Sequence, residues 1–337
     1  MRKIAVIGAG AIGGVVAAHL TRIGESVEVV CKHDDLAQVL SARGIKISGV
    51  SGKHTVPLDA RSRIDQLSGP QDVVFLATKA MDVLAAAKSL LPYLHKDSIV
   101  VTMQNGIVEE AVGEIVGRNR IVGCVVNWGS TVTEPGALDQ TSHGLFVIGE
   151  LHGKLTERLK AVKSLLEHIE PVKISGNIFG ALYTKLVINS GITSLGAICG
   201  LYLGQMFGMK KVRELFMVIA NEAIAVAEAI RLEPEKIERL DLYRLAGKPS
   251  FKKHVLLRFV GFKYRKVKSS SLQSLERGRP TEIDYLNGYI VKRGTEAGVP
   301  TPINRAIVDM IKEIEQGKRP ITAKNINELF EEIKWPS

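Results

Sequence analysis

Two polar side chains stand among apolar residues in the stretch Tyr183–Ser190. Lys185 and Asn189 are four residues apart, so a helix over this stretch places them on one face. Because an ammonium group beside an apolar stripe is costly without a partner or a purpose, Lys185 is either an ion-paired core lysine or a catalytic one. As a catalytic group, it could give a proton to an oxygen that is being reduced.

Three other short segments carry groups that could bind a substrate. Gln104-Asn105-Gly106 follows a predicted strand, where an amide could hydrogen-bond a ligand, although Asn-Gly is also an ordinary turn. A serine run, 269–271, precedes Gln273, and Thr281-Glu282 is either functional or the acidic first turn of a helix. Sets of the Ser/His/Asp, Cys/His or metal-binding kind are not evident, so we expect no metal and a lysine or histidine proton donor.

The start of the chain predicts a coenzyme site. The apolar strand Ile4–Ile7 leads directly into the run Gly8–Gly14, GAGAIGG, and then into a predicted helix. This strand–turn–helix context is typical of the dinucleotide-binding sequence G-x-G-x-x-G. Gly8 would make the tight turn, Gly10 would let the backbone approach a pyrophosphate, and Gly13 would let the helix pack on the strand. The alternative is a tight turn with a structural role only.

The end of the second strand indicates which coenzyme binds. NAD enzymes place a carboxylate there for the ribose 2′-hydroxyl, whereas NADP enzymes use a cation for the 2′-phosphate. The chain has Lys32 after Cys31, and the first carboxylate is Asp34. Lys32 therefore favours NADP(H), although Asp34 could reach back to the ribose and leave Lys32 as a surface residue. Lys79 follows the next predicted strand of the sheet, at the edge where such folds bind ligands.

The elements that would position these groups fall into two kinds. Apolar, β-branched runs separated by helix-length segments predict a parallel sheet covered by helices, with one later strand in an antiparallel edge. Spacings of three and four predict helices after Gly176. The predicted strands are Ile4–Ile7, Val27–Val30, Asp72–Ala77, Ser98–Thr102, Ile121–Val126 and Gly144–Ile148, and the predicted helices of the second half are Leu182–Leu195, Val212–Arg231, Glu282–Glu296 and Pro302–Glu315. We expect an α/β domain over residues 1–175 and a helical substrate domain over 176–337.

Composition excludes several classes of protein. The chain has 337 residues, 45% of them hydrophobic and 24% charged, which is typical of globular proteins rather than disordered or fibrous ones. Its net charge is +10, and residues 243–268 hold nine Lys or Arg and no acid. That segment is a helix with a solvated basic face, a mobile lid over an anionic site, or a patch for acidic lipid or nucleic acid. A basic nucleic-acid coat over the whole protein is not expected.

Cysteine usage and the N-terminus indicate a cytoplasmic protein. Cys31, Cys124 and Cys199 are far apart and set among apolar residues, which favours reduced core thiols. Met1-Arg2-Lys3 before an apolar stretch resembles a signal peptide, but the glycines of that stretch disfavour a helix. No other segment has the ~20 apolar residues of a membrane span. We therefore expect no membrane and no nucleic-acid partner.

Taken in order, these segments resemble the ketopantoate reductase family, the NADPH-dependent 2-dehydropantoate 2-reductases. The resemblance runs from Ile4 to about Asn304. It is carried by the segments Gly8–Gly14, Lys79, Gln104-Asn105-Gly106, Lys185 with Asn189, the serines before Gln273, Thr281-Glu282-Ile283-Asp284, Asn287-Gly288 and Val299–Asn304. The resemblance implies an N-terminal Rossmann domain and an all-α C-terminal domain like that of 6-phosphogluconate dehydrogenases.

The resemblance also implies roles for single residues. Lys185 becomes the general acid, and Glu282 the carboxylate that orients it and contacts the substrate hydroxyl. The expected substrate-binding residues are Asn105, Asn189, Thr193 and Ser270. The expected coenzyme-binding residues are Gly8, Ala9, Gly10, Ala11, Ile12, Gly13, Lys32, Lys79, Asn105 and Glu282.

Two departures from the family pattern concern the substrate. Thr193 stands where many members have a second asparagine, and Ser274 where an aspartate is common. We expect NADPH-dependent reduction of 2-dehydropantoate to pantoate, for coenzyme A synthesis, in a cleft between the domains. The alternatives are a dehydrogenase for another 2-oxo acid or an opine-type substrate, and a coenzyme-binding sensor without turnover. A homodimer through the long helices 212–231 and 282–296 is open, because these helices could instead complete one core.

Overall fold

Strands with buried residues on both faces form the main sheet, as the apolar runs predict. The structure is a computed structural model that describes residues 2–237 and 241–331, and contacts between Cα atoms divide it into two units, Met1–Leu182 and Tyr183–Ser337. The strands are β1 (Lys3–Ile7), β2 (Ser26–Val30), β3 (Ile45–Gly49), β4 (His54–Val56), β5 (Asp59–Arg61), β6 (Gln71–Leu76), β7 (Leu94–Thr102), β8 (Ile121–Val126), β9 (Gly129–Glu134), β10 (Ala137–Ser142), β11 (Phe146–Glu150) and β12 (Val172–Ile174).

The main sheet has the strand order β12-β11-β8-β7-β6-β1-β2-β5. All six predicted strands are confirmed, and the neighbours from β5 to β8 pair in parallel. The strand predicted for an antiparallel edge, β11, does pair antiparallel with β8. It is not the edge itself, because β12 adds one more parallel strand beyond it.

A second sheet, in the order β4-β3-β10-β9, was not predicted. Its strands are short and carry several polar residues, so the apolar-run criterion misses them. This sheet packs on the first helix, where a Cβ added at Gly14 would lie 2.6 Å from Leu138 and 2.9 Å from Ile45. A side chain at Gly14 would therefore force Leu138 and Ile45 to shift.

Helices cover the first unit and make up the second, as predicted. They are α1 (Ala11–Arg22), α2 (Asp34–Arg43), α3 (Val83–Leu90), α4 (Glu109–Val116), α5 (Glu157–Leu166), α6 (Ile178–Cys199), α7 (Leu203–Gly208), α8 (Lys210–Ala229), α9 (Phe251–Lys263), α10 (Ser270–Glu276), α11 (Asn287–Ala297), α12 (Pro302–Glu315) and α13 (Lys324–Glu331). The predicted helix Glu282–Glu296 was wrong at its start, since Ile283–Tyr285 is a separate 3₁₀ turn and α11 begins at Asn287. The apolar face of α8 is buried within its own unit.

The basic segment forms α9 and the chain around it. Its exposed surface is not only basic, because Phe251, Phe259 and Phe262 are 83%, 61% and 64% exposed. The solvated-basic-face interpretation therefore describes the cations of this helix and leaves out its aromatic residues.

The cysteines and the candidate membrane segments complete the account of the fold. Cys31, Cys124 and Cys199 are free and buried, as predicted. Over residues 2–237 and 241–331, none of the helices combines the length and apolar character needed to cross a bilayer.

Candidate active site

The glycine turn after β1 has the geometry that its sequence predicts. Gly8 has φ +109°, and a Cβ there would lie 2.7 Å from the carbonyl oxygen of Ala77. A Cβ on Gly13 would lie 2.0 Å from the carbonyl oxygen of Gly8, so helix α1 can approach β1 only with glycine at this position. The turn is thus fixed by close approach of backbone atoms.

Gly10 differs from these two glycines because it faces open space. A Cβ at Gly10 would meet nothing within 4 Å. Gly10 is also the N-cap of α1 and offers no side chain to the first-turn N–H groups of that helix. An open space at a helix N-terminus is where a pyrophosphate binds in dinucleotide-binding folds. The arrangement of Gly8, Gly10 and Gly13, with Ala9, Ala11 and Ile12 between them, therefore fits a dinucleotide.

Lys32 lies just beyond β2, at the same edge of the sheet. Its ammonium is paired with the carboxylate of Asp82, at 2.9 and 3.1 Å from the two oxygens. Asp82 follows β6, and β6 and β2 are the two neighbours of β1. The lysine predicted to meet a 2′-phosphate thus already has a carboxylate partner that the sequence analysis did not identify. The two residues are fifty positions apart, so no local spacing could have revealed the pair.

Lys79 and Asn105 also lie at the carboxyl ends of strands. Lys79 is exposed and is the N-cap of the short 3₁₀ helix Ala80–Asp82. Asn105 is half-buried after β7. The neighbouring Gln104 is structural, since its amide nitrogen donates to the carbonyl oxygens of Leu76 and Thr78 at 2.9 and 3.3 Å. Gln104 therefore ties the loop that carries Asn105 to the loop that precedes Lys79.

In the second unit, α6 presents a narrow accessible stripe. Between residues 181 and 199, the side chains that keep partial solvent contact are Lys185, Asn189 and Ile192, and all others are buried. Their spacing of four and three residues places them on one face of the helix. Burial lowers the pKa of Lys185 to about 8. A lysine with this pKa exchanges its proton near neutral pH, as a general acid requires.

Thr193 lies one turn beyond Asn189 and is buried. Its hydroxyl donates to the carbonyl oxygen of Asn189 at 2.8 Å. Because that proton is held by the helix, the hydroxyl can offer a ligand only its oxygen as an acceptor. Its predicted role in substrate binding stays a prediction.

The serine run is joined to α6 by a buried contact. Ser269 is the N-cap of α10, and its hydroxyl accepts from the N–H of Leu272 and donates to the carbonyl oxygen of Thr193. Gly196 makes room, since a Cβ there would lie 2.7 Å from the Ser269 oxygen. The next residue, Ser270, is exposed. Ser269 therefore fixes the place of Ser270 relative to α6.

Glu282 is buried in the turn before α11. It lies next to Thr281, whose N–H donates to Glu315 at 2.7 Å and whose hydroxyl accepts from the N–H of Ile283 at 3.2 Å. These bonds hold the backbone on both sides of Glu282. The Glu282 carboxylate is therefore carried by a fixed turn. The sequence analysis had instead predicted a helix that begins at this residue.

A buried chain of hydrogen bonds holds four helices of this unit together. The Ser194 hydroxyl donates to Asn287, whose amide donates to Asn304 at 2.9 Å, whose amide in turn donates to Glu222 at 2.6 Å. Glu222 also accepts the N–H groups of residues 303 and 304 at the start of α12, and burial raises its pKa. Asn287 and Asn304 belong to the segments that carried the resemblance, but their role as a scaffold was missed.

The structure thus places the predicted residues in two sets. Residues of the glycine turn, Lys32, Lys79 and Asn105 belong to the first unit, and Lys185, Asn189, Thr193, Ser270 and Glu282 belong to the second. Within residues 2–237 and 241–331, no group of three or more His, Cys, Asp or Glu side chains is placed to hold a metal ion. The first set fits a dinucleotide and the second offers a proton donor beside polar groups.

Comparisons with known proteins point to one family. The family model described as "Ketopantoate reductase PanE/ApbA" matches residues 4–153, and its C-terminal counterpart matches residues 177–315. The 2-dehydropantoate 2-reductase of Aquifex aeolicus is 28% identical over 318 residues, which cover 93% of this chain and 97% of that protein. The ketopantoate reductase structure from Ralstonia eutropha is 27% identical with a TM-score of 0.80, and covers 94% of this chain and 99% of its own.

A further solved structure shares the fold at lower identity. A D-mandelate dehydrogenase in complex with NADH and anilino(oxo)acetate matches with a TM-score of 0.81 at 22% identity, over 94% of this chain and 99% of its own. At this identity the likeness concerns the fold: an N-terminal Rossmann-like domain followed by a helical domain.

Proposed function

Because the chain belongs to the ketopantoate reductase family of NAD(P)-dependent oxidoreductases, we propose that it reduces 2-dehydropantoate to pantoate with NADPH, in the cytoplasm, as a step of coenzyme A synthesis. The observation that carries the proposal is Lys185. It stands on the accessible stripe of an otherwise buried helix, with a pKa lowered to about 8. The glycine turn of the same chain, with open space at Gly10, supports coenzyme binding.

The proposed chemistry divides between the coenzyme and the protein. When bound, NADPH supplies a hydride to the C2 carbonyl carbon and leaves as NADP⁺. The Lys185 ammonium donates its proton to the carbonyl oxygen, which becomes the hydroxyl of the product. Before this transfer, the same ammonium polarises the carbonyl. In this proposal Asn189, one turn along the stripe, hydrogen-bonds the substrate and holds its oxo group toward Lys185.

The other predicted groups support the same reaction. Glu282 orients Lys185 and meets the hydroxyl of 2-dehydropantoate, and Ser270 and Asn105 hydrogen-bond the substrate. The glycine turn holds the pyrophosphate, and Lys32 and Lys79 supply positive charge for an anionic coenzyme and an anionic substrate. The sequence resemblance supports these roles. They are also supported by the positions of Lys32, Lys79 and Asn105 after strand ends and of Glu282 in a fixed turn.

A second candidate is the reduction of another 2-oxo acid. Thr193 and Ser274 depart from the family pattern, and Thr193 has no hydroxyl proton left to donate. The fold neighbour described as a D-mandelate dehydrogenase in complex with NADH and anilino(oxo)acetate supports this candidate. Both candidate functions use the same proton donor, so they differ only in which 2-oxo acid is reduced. An opine-type dehydrogenase would need an amine as a second substrate.

The test is a coenzyme-oxidation assay with a panel of acids. We expect NADPH oxidation to be fastest with 2-dehydropantoate and slower with pyruvate or 2-oxoisovalerate, each with and without an amine. Tight NADPH binding without turnover of 2-dehydropantoate would remove the proposed substrate and leave the coenzyme site in place. Binding without turnover of any acid would instead favour a coenzyme sensor.

A further inference from the structure

The carboxyl edge of the sheet near β2 and β5 carries acidic side chains, which disfavour the binding of a 2′-phosphate. Lys32 is paired with Asp82 at 2.9 Å. Arg61, at the end of β5, is held by Asp59 and lies 3.7 Å from Glu28. These two cations, next to the end of the second strand, both have acidic partners. A phosphate arriving here competes for cations that are already paired.

The orientation of Asp82 makes it the most direct competitor. Asp82 is the N-cap of α3, a position where aspartate normally accepts a hydrogen bond from the helix backbone. Its side chain makes no such bond, and both of its oxygens instead face the Lys32 ammonium. The carboxylate is therefore turned toward the group that the coenzyme would use.

The start of α2 adds to this charge. Asp34 and Asp35 form its first turn, directly after Lys32 and the N-cap His33. The positive end of a helix dipole is favourable for an anion, but two aspartates already stand there. The surroundings of Lys32 thus favour a neutral ribose hydroxyl more than Lys32 alone would suggest.

We propose that Asp82 is a determinant of coenzyme specificity: it holds Lys32 and repels the 2′-phosphate, so that this chain discriminates only weakly between NADPH and NADH. This rests on the proposed function only in taking Lys32 as the cation that meets the 2′-phosphate. At a separation of a few ångströms in water, repulsion between a carboxylate and a phosphate dianion changes affinity by about tenfold. Asp82 is then a positioning and specificity residue and takes no part in proton transfer.

The experiment measures the dissociation constants of NADPH and NADH by fluorescence titration, without any oxo acid present. Asp82→Asn keeps the shape and removes the charge, and we expect it to raise the preference for NADPH over NADH by about tenfold. Asp82→Glu keeps the charge and stays near the wild-type ratio. Lys32→Ala moves the ratio the other way, toward NADH.

A charge-matched control separates this effect from net charge. Asp97→Asn adds the same +1 at an exposed position in the first half of β7, away from the carboxyl edge that carries Lys32, and leaves the ratio unchanged. An unchanged ratio in Asp82→Asn, or an equal rise in Asp97→Asn, would overturn the proposal. Failure of the wild type to turn over 2-dehydropantoate would refute the proposed function without altering these ratios. Failure to bind either coenzyme would refute both.

Discussion

In the first unit the glycine turn is made of backbone, whereas in the second unit the proposed proton donor is a side chain carried by a helix. Gly8 and Gly13 are required because atoms of the main chain approach each other within the space of a missing Cβ. Lys185 is proposed as the donor because burial lowers its pKa. The glycine turn is encoded in one short stretch of the chain, although Ala77 also closes on it, whereas the surroundings of Lys185 depend on packing of the whole second unit.

The largest expected effect comes from removing the side-chain donor. Lys185→Ala should lower kcat/KM by about a thousandfold, the usual worth of a general acid, while the dissociation constant for NADPH stays the same. Steady-state kinetics and a coenzyme titration on the same preparation check both halves. Near-wild-type turnover in this variant would remove Lys185 from the mechanism.

The next effect tests whether the glycines of the turn serve packing or binding. Gly13→Ala forces a Cβ against the Gly8 carbonyl oxygen, so we expect a loss of about 1–3 kcal/mol of stability together with coenzyme binding. Gly10→Ala places its Cβ in open space and should keep the wild-type melting temperature, yet weaken NADPH binding by at least about tenfold.

Thermal unfolding and coenzyme titration of the two glycine variants distinguish these roles. If Gly10→Ala bound NADPH as tightly as the wild type, the open space at the helix N-terminus would not be the pyrophosphate site.

A fourth variant tests the scaffold of the second unit. Asn304→Ala leaves the amide of Asn287 and the carboxylate of Glu222 short of a buried partner, so the free energy of unfolding should fall by about 1–3 kcal/mol. Asn327→Ala is the matched control, because the exposed amide of Asn327 accepts a hydrogen bond from Lys211. Its removal should change the free energy of unfolding by less than about 0.5 kcal/mol. Equal losses in denaturant titrations of the two variants would argue against the network as a scaffold.

The smallest expected effect is a pH dependence of kcat/KM, which is set by Lys185 in the second unit. With its pKa lowered to about 8, Lys185 is protonated below that pH and deprotonated above it. For reduction, kcat/KM should be level below about pH 8 and fall about tenfold per pH unit above it, and alcohol oxidation should show the opposite slope. NADPH binding should not follow this curve. A profile without an inflection in this region would contradict the assignment.

The glycine turn was predictable because its signal is local. Strand, glycine run and helix follow one another in the chain. In any turn of this kind, the fold brings the same neighbours against each glycine, and those neighbours decide the role of that glycine. The strands of the main sheet were predictable for the same kind of reason, since burial on both faces demands continuous apolar runs. The short strands β3, β4, β9 and β10 lack such runs and were missed.

The second unit shows what local patterns leave open. The spacing of Lys185 and Asn189 predicted one helix face, but not that this face is the accessible stripe of a buried helix. The start of α11 was misplaced because Glu282 and Thr281 look like the start of a helix, while bonds from distant Glu315 hold them in a turn.

By itself, the sequence determined the glycine turn, the main strands, the helical second half and the candidate proton donor, because each is signalled by residues that are close together in the chain. Only the tertiary structure decided that Asp82 pairs with Lys32, that Ser269 anchors the serine run to α6, and that Asn287, Asn304 and Glu222 form one buried network. These contacts join residues from 17 to 82 positions apart, so local spacing cannot reveal the partners. Burial and charge pairing are properties of the folded chain, which is why they set the pKa of Lys185 and the surroundings of Lys32.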